Sequence, residues 1–494
     1  MDQAAVGVRW RTHSCVPPRH SCRGHRVRGR GVEKSLDAAR TSACATLLAI
    51  LLLTGCGSSP EAQLRKLLAS KVTGIIRLPK GTVEVSSELT LAPGAHDLEI
   101  VGDEARLKAA DNFKGRAVLV LENVERIHLH GFAIDGNRDK LAKPLEMAPP
   151  ENAFRVWYPD NGVLVNKVAG LQIERLSVAN VVNFPILISQ SSNVRIWGAT
   201  IQDSGSKNAG GRNNLSGGIL IEEGSSNFEV AESLFRGIRG NALWTHSNFR
   251  APRQQDGAFT HNRFDTVGRD ALQLGHATRV RIEQNTGTNI GYPLDAVDIE
   301  NQGIPIAIDT AGNVDQSEYA GNMFDEVDGQ CINLDGFHDG TVHDNRCANR
   351  KAAGDYPFGS FGMAMNNAHP DAHSNNIEIR NNVIDGSKFG GLFLIGSGNR
   401  VIGNRFVNLN LAGCNESAPK TPCIYKADEP QMLESGIYLG PGASRPEPVR
   451  GNIIRGNEIS GHKMKSRCIA FGPGVSRTAN TIEKNTCSDV EPAR

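Results

Sequence analysis

The chain has 494 residues, 53 of them glycine, with aromatics at 5% and a formal charge of +1. Few aromatics and many short Asn/Gly turns argue against a helical bundle and fit a strand-and-turn protein. The charge is uneven: residues 1–55 hold nine Lys+Arg and three Asp+Glu, which leaves about −5 on the rest and no electrostatic footprint for nucleic acid.

Taken in chain order, the basic start closes on ACATLLAILLLTGCGSSP. The apolar run from Ala43 to Leu53 is too short to span a bilayer as a mature helix and has the length of a signal h-region. Leu53-Thr54-Gly55-Cys56 resembles the lipobox of bacterial lipoproteins. That resemblance implies cleavage before Cys56, lipidation of its thiol and a lipid-anchored protein of the cell envelope. Gly57, where an Asp would signal retention, implies the outer membrane of a Gram-negative cell. Residues 1–31 look unlike any n-region, and a start near Val32 is expected. Residues 1–55 are therefore read as the leader and 56–71 as a tether with a capping helix. In that helix Ser59 caps, Pro60 sits in the first turn, and Leu64, Leu67 and Leu68 form one face.

From residue 72 to 494 a strand motif recurs. An apolar–x–apolar triplet, usually after glycine, appears in GVLVNK (162–167), FPILISQ (184–190), GGILIEE (217–223), NALWTHS (241–247), DALQLGH (270–276), IPIAIDT (304–310), CINLDG (331–336), GMAMNNA (362–368), GLFLIGS (391–397), GIYLGPG (436–442) and CIAFGPG (468–474), with 117–121 as an earlier copy. Short strands ending in polar turns lie between copies. Strands this short bury their apolar residues only by stacking on the next coil. Asparagines and glycines suit left-handed turn positions, and asparagines at equivalent turns can form hydrogen-bonded ladders.

This pattern resembles the right-handed parallel β-helix, or pectin-lyase-like, family over roughly residues 72–490, with residues 59–70 matching its helical cap. The expected fold is all-β, and the expected state is a monomer. The resemblance implies a polysaccharide along an outward strand face, with long turns as walls. The chain departs from well-known members: it lacks the NTD, DD, GHG and RIK signatures of polygalacturonases, a clear RxPxxR of pectate lyases, and the DPHD of alginate epimerases. Reaction type stays open on that account.

Six cysteines follow Cys56, an even count that points to disulfides in an exported protein. Cys331–Cys347 and Cys468–Cys487 occupy equivalent repeat positions and are expected to bridge within single coils, with Cys414–Cys423 closing a loop. Without a CxxC pattern, zinc ligation is the weaker reading.

If each apolar pair points inward, two columns face outward. The first holds Trp244, Gln273, Ala307 and Asn333. The second holds Glu222, His246, Gly275, Asp309, Asp335 and Asn366. On this alignment Asp309 and Asp335 are neighbours about 4.8 Å apart, an arrangement suited to acid/base work or Ca2+ binding. His246 and His276 are expected as auxiliary proton-transfer groups and Trp244 as a sugar-stacking platform. Gln273, Asn333, Asn366, Glu222 and His338 are expected to contact substrate. Arg250 and Arg253 could hold an acidic sugar, Asp298 and Glu300 a groove wall, and His369, Asp371 and His373 a cation, though in each case a solvated loop or turn is the stronger reading. The functional expectation is a lyase or inverting glycosidase, and the alternative is a non-catalytic glycan-binding or envelope solenoid.

Overall fold

The computed structural model describes residues 58–149, 152–248, 250–298, 303–368, 371–410, 431–442 and 445–490. Cys56, the 1–55 leader, the Cys414–Cys423 pair, His369 and Glu300 lie outside them.

The capping helix, Pro60–Ser70, starts where Ser59 Oγ accepts the Ala62 N–H at 3.2 Å. Leu64 and Leu68 are buried against the first coil, but Leu67 is exposed. The apolar face is therefore narrower than the expected trio.

Beyond it the chain winds as a right-handed parallel β-helix in which every named strand pairing is parallel. A typical coil carries three strands, such as Ile219–Glu222, Ser226–Ala231 and Leu234–Ile238. Each strand pairs with its counterparts in the coils above and below. Inward side chains from all three ladders form one continuous core. Where Phe235, Phe264 and Phe324 stack in the third ladder, the intervening coil carries Gly287, because a Cβ there would lie 2.5 Å from the Phe324 ring.

The expected asparagine ladder is present. Asn262, Asn285, Asn322, Asn345, Asn382, Asn404, Asn457 and Asn485 stack on one another. Each of the first seven donates its backbone N–H and side-chain Nδ2 to the Oδ1 of the next, and Asn485 closes the column with its Nδ2 on Ile454 O. Ser233 continues the column toward the N-terminus. Buried turn amides are thereby satisfied coil after coil, as a buried backbone requires. Cys331–Cys347 and Cys468–Cys487 form as expected.

Candidate active site

The outward face of the first ladder divides into an apolar and a polar half. In the observed register Leu164, Leu187, Leu220, Trp244 and Gln273 follow one another from coil to coil. The apolar members are not open to solvent. The insertion that contains the short helices Arg138–Leu141 and Phe154–Trp157 crosses them as a strap. Phe154 and Tyr158 pack with Leu164, Phe184, Leu187, Leu220 and Trp244 in a second hydrophobic cluster outside the main core.

This strap overturns three expectations. Trp244 is buried, its ring 5.6 Å from that of Phe154, and it offers no platform to a sugar. Glu222 is also fully buried; its carboxylate accepts the N–H groups of Phe154 at 2.7 Å and Arg155 at 3.0 Å and so anchors the strap. Burial pushes this carboxyl up to about 7 in spite of those donors. His246 packs on the Phe154 ring at 4.4 Å and belongs to the same anchor. Hydrophobicity carries the physical reason: an outward row of Leu, Leu, Leu and Trp forms too large an apolar patch to leave in water.

The polar half begins at Gln273, and here the expected register fails by two residues. Gln273 pairs with Asp309, not with Ala307. Ile308 pairs with Ile332, which sets Asp309 beside Asn333, and Ala311 pairs with Asp335. The apolar triplet Ile306-Ala307-Ile308 suggested the wrong frame. Thr310 takes the inward position opposite Leu274 and satisfies its hydroxyl on Tyr319 Oη at 2.6 Å. Asp309 and Asp335 are therefore one coil and two residues apart, about 8 Å between Cα atoms from strand geometry. They are not adjacent rungs, and the stacked pair expected to share one Ca2+ does not form.

The register does assemble a polar network. Asn241 Nδ2 donates to Gln273 Oε1 at 2.6 Å, and Gln273 Nε2 donates to Asp309 Oδ2 at 3.0 Å. Asn333 Nδ2 donates to Asp309 Oδ1 at 2.8 Å. Asp309 is only 4% exposed, and Asp270 beside it is fully buried. Arg269 Nε lies 3.7 Å from the Asp270 carboxylate, and the Ile306 backbone N–H is directed at it. Burial raises the carboxyls of Asp270 and Asp309, and their mutual repulsion raises Asp270 further. Asp335 accepts the Ala368 N–H at 2.8 Å. It keeps part of its surface open to solvent, yet the surrounding protein pushes its carboxyl up to about 7, with the Asp309 charge adding to the effect. Three carboxyls in one neighbourhood thus favour their protonated forms.

Asp270 was not singled out by sequence. Its only signal was a charge pair, Arg269-Asp270, at the mouth of an apolar strand. Asn333 and Asn366 flank the cluster as expected, Asn366 pairing with Asp335 on the next coil. His276 lies at a β-bulge after Gly275, with a left-handed backbone, and is buried. His338 falls beyond the cluster, paired with Asp315, its ring nitrogens held by Asp339 and Asn313. Arg253 is committed to Asp315 at 2.9 Å. His373 is largely exposed, 3.7 Å from Glu447.

Insertions on this side of the solenoid are tied to one another by hydrogen bonds. Asn213 N donates to Ala296 O at 2.7 Å, and Asn208 holds the Asp298 carboxylate. Asn214 Nδ2 and Leu145 N tie the strap to the same loop, at 3.1 and 3.2 Å. Asp298 is buried in the Asn208 contact.

Residues 152–306 match the family model described as a right handed beta helix region. No curated protein matches the sequence. Among solved structures, the chain is similar to PfbA, a surface adhesin of Streptococcus pneumoniae, at 16% identity over 68% of this chain and 82% of that one, with a TM-score of 0.49. It is similar to the catalytic unit of the thermostable GH87 alpha-1,3-glucanase of Streptomyces thermodiastaticus strain HF3-3 at 12% identity, covering 87% and 66%, TM-score 0.49. DFA-IIIase of Arthrobacter chlorophenolicus A6 in complex with GF2 matches at 11% identity, covering 85% and 92%, TM-score 0.48.

Proposed function

We propose that this protein is a carbohydrate-active β-helix whose acid/base chemistry resides in Asp270, Asp309 and Asp335. The observation that carries the reading is the clustering of three carboxyls with raised proton affinity at the point where the strap ends and the outward face turns polar. Coupled carboxyls of this kind hold a proton on one member near neutral pH while another ionises, the division of labour that glycosidic bond cleavage needs. A Cα spacing of about 8 Å between Asp309 and Asp335 is compatible with the wider carboxyl separation of an inverting hydrolase. A lyase would use the same groups with a cation or arginine at the sugar carboxylate.

The strap and the linked loops support a groove with a wall on one side, in which Asn333 and Asn366 contact the glycan. Gln273, buried with its amide held by Asn241 and Asp309, positions the carboxylate instead of meeting the sugar as expected. We further propose that Cys56 is lipidated, tethering the chain at the cell envelope. Replacing Cys56→Ser would then move the protein from the detergent phase to the aqueous phase.

One observation favours a second reading. Asp309 is nearly closed to solvent and already saturated by Gln273 and Asn333, as a purely structural or glycan-binding ladder would have it. The deciding experiment is a polysaccharide panel with wild type, Asp270→Asn, Asp309→Asn and Asp335→Asn, reading new reducing ends and the absorbance of unsaturated products. Reducing ends lost in the variants support hydrolysis, and unsaturated products support elimination. Glycan binding without turnover in wild type supports the second reading.

A further inference from the structure

A second chemical cluster sits on the neighbouring ladder near the N-terminus, away from the acidic face. Strand Glu125–His130 carries His128 and His130 two residues apart, so both imidazoles stand on its outer side. Strand His96–Val101 places Glu99 opposite His128, and strand Ala169–Glu174 places Glu174 opposite His130. The glutamates cross the rows diagonally: Glu99 Oε1 lies 2.6 Å from His130 Nε2, and Glu174 Oε2 lies 3.7 Å from His128 Nε2. The imidazoles stack at 4.7 Å. One ligand atom from each of Glu99, His128 and His130 falls within 4.8 Å of the others. Among the described residues no other set of three such side chains does so.

We infer that Glu99, His128 and His130 form a binding site for a divalent transition metal of the Zn2+ type, with Glu174 at its edge. Two imidazoles and a carboxylate suit Zn2+, Co2+, Ni2+ or Cu2+, whereas Ca2+ and Mg2+ take oxygen ligands. Tetrahedral zinc needs ligand atoms about 2.0–2.2 Å from the metal. The Glu99–His130 pair has to open slightly and His128 has to swing in, both side-chain motions on a fixed backbone. Exposure permits entry: the side chains of His128, Glu174, His130 and Glu99 are 31%, 28%, 21% and 35% exposed. A surface depression lined by Arg126, His128, Gln172, Asn193 and Arg195 reaches the cluster at His128. Arg126 is turned away by its ion pair with Asp97 at 2.6 Å. A bound metal joins two successive coils directly, and a third through Glu174. Near the end of the solenoid each coil has fewer neighbours to hold it.

The test uses the full chain, stripped with chelator and dialysed, and titrated with Co2+. Visible d–d bands saturating at one equivalent, and displaced by Zn2+, are expected. The double variant His128→Gln/His130→Gln should lose the bands and weaken Zn2+ affinity by at least about 100-fold, more than loss of an outer-sphere partner would. Its melting midpoint should match that of metal-free wild type, because both positions are at the surface. Zn2+ should raise the midpoint of wild type alone. Trp197, exposed on the strand beside Glu174, adds an optical reporter: Cu2+ should quench it in wild type and not in the double variant. Absence of Co2+ bands at millimolar metal would overturn the proposal, as would equal binding by the double variant.

Discussion

Replacing Asn345→Ala tests the central claim that buried asparagines hold the coils in register. Asn345 Oδ1 accepts the Asn322 N–H at 3.1 Å and the Asn322 Nδ2 at 2.8 Å. Its own Nδ2 donates to Tyr319 O at 2.8 Å and to Asn382 Oδ1 at 2.9 Å. Truncation removes these four bonds and strands two buried donors of Asn322. At about 1 kcal/mol net per bond the loss is about 4 kcal/mol. Over roughly 400 ordered residues, an unfolding entropy of about 2.1 cal/mol/K per residue turns this into a fall in Tm of about 5 °C. Scanning calorimetry reads the fall, and native-state hydrogen exchange should show faster exchange at the Asn322 amide, which keeps no acceptor. A fall under about 1 °C, together with unchanged protection at Asn322, would refute the four-bond argument.

Four further outcomes follow from the same geometry. Phe154→Ala should cost about 3–5 kcal/mol of local packing and release the strap, giving a red-shifted, acrylamide-accessible Trp244; an unchanged emission spectrum would count against the strap. Reducing or deleting Cys331–Cys347, which closes a span of 16 residues, should cost about 3 kcal/mol, read as a lower urea midpoint. Carboxyls raised in the folded state, such as Asp335 and Glu222 at about 7, keep a proton that the unfolded chain has released. Their stabilisation is complete below about pH 4 and is lost as pH rises through 7. Asp335→Asn keeps an acceptor for the Ala368 N–H, so it should gain stability on wild type between pH 4 and 8. A constant difference across that range would show that Asp335 ionises normally. The lowered carboxyls of Glu88 and Asp315, held by Arg116 and by Thr278 and Arg253 against burial, act in the opposite sense: their stabilisation disappears only as acid protonates them, below about pH 4. Acid denaturation of Arg116→Gln should therefore begin at a higher pH than that of wild type.

The solenoid was legible in the sequence because its signal is periodic. A dozen apolar triplets, polar turns and recurrent asparagines each mark one rung, and stacking is the only way such short strands bury their apolar side chains. Cysteine placement followed from the same period, and both described bridges formed.

The site was legible only in composition. Asp309, Asp335, Gln273 and Asn333 were identified as functional candidates, but their alignment depended on which residues of IPIAIDT point inward. Thr310 breaks the apolar pattern there, and its burial becomes intelligible only once Tyr319, nine residues on, supplies a hydroxyl. Asp270 gave no periodic signal at all. The strap was invisible for a related reason: nothing local in Phe154 or Tyr158 says that they will lie across Trp244, several coils away. Repeat spacing is a one-dimensional property, and sequence alone settled it. The environment of a carboxylate, and whether an outward tryptophan meets water or protein, depends on contacts between distant segments, and only the tertiary structure decided those.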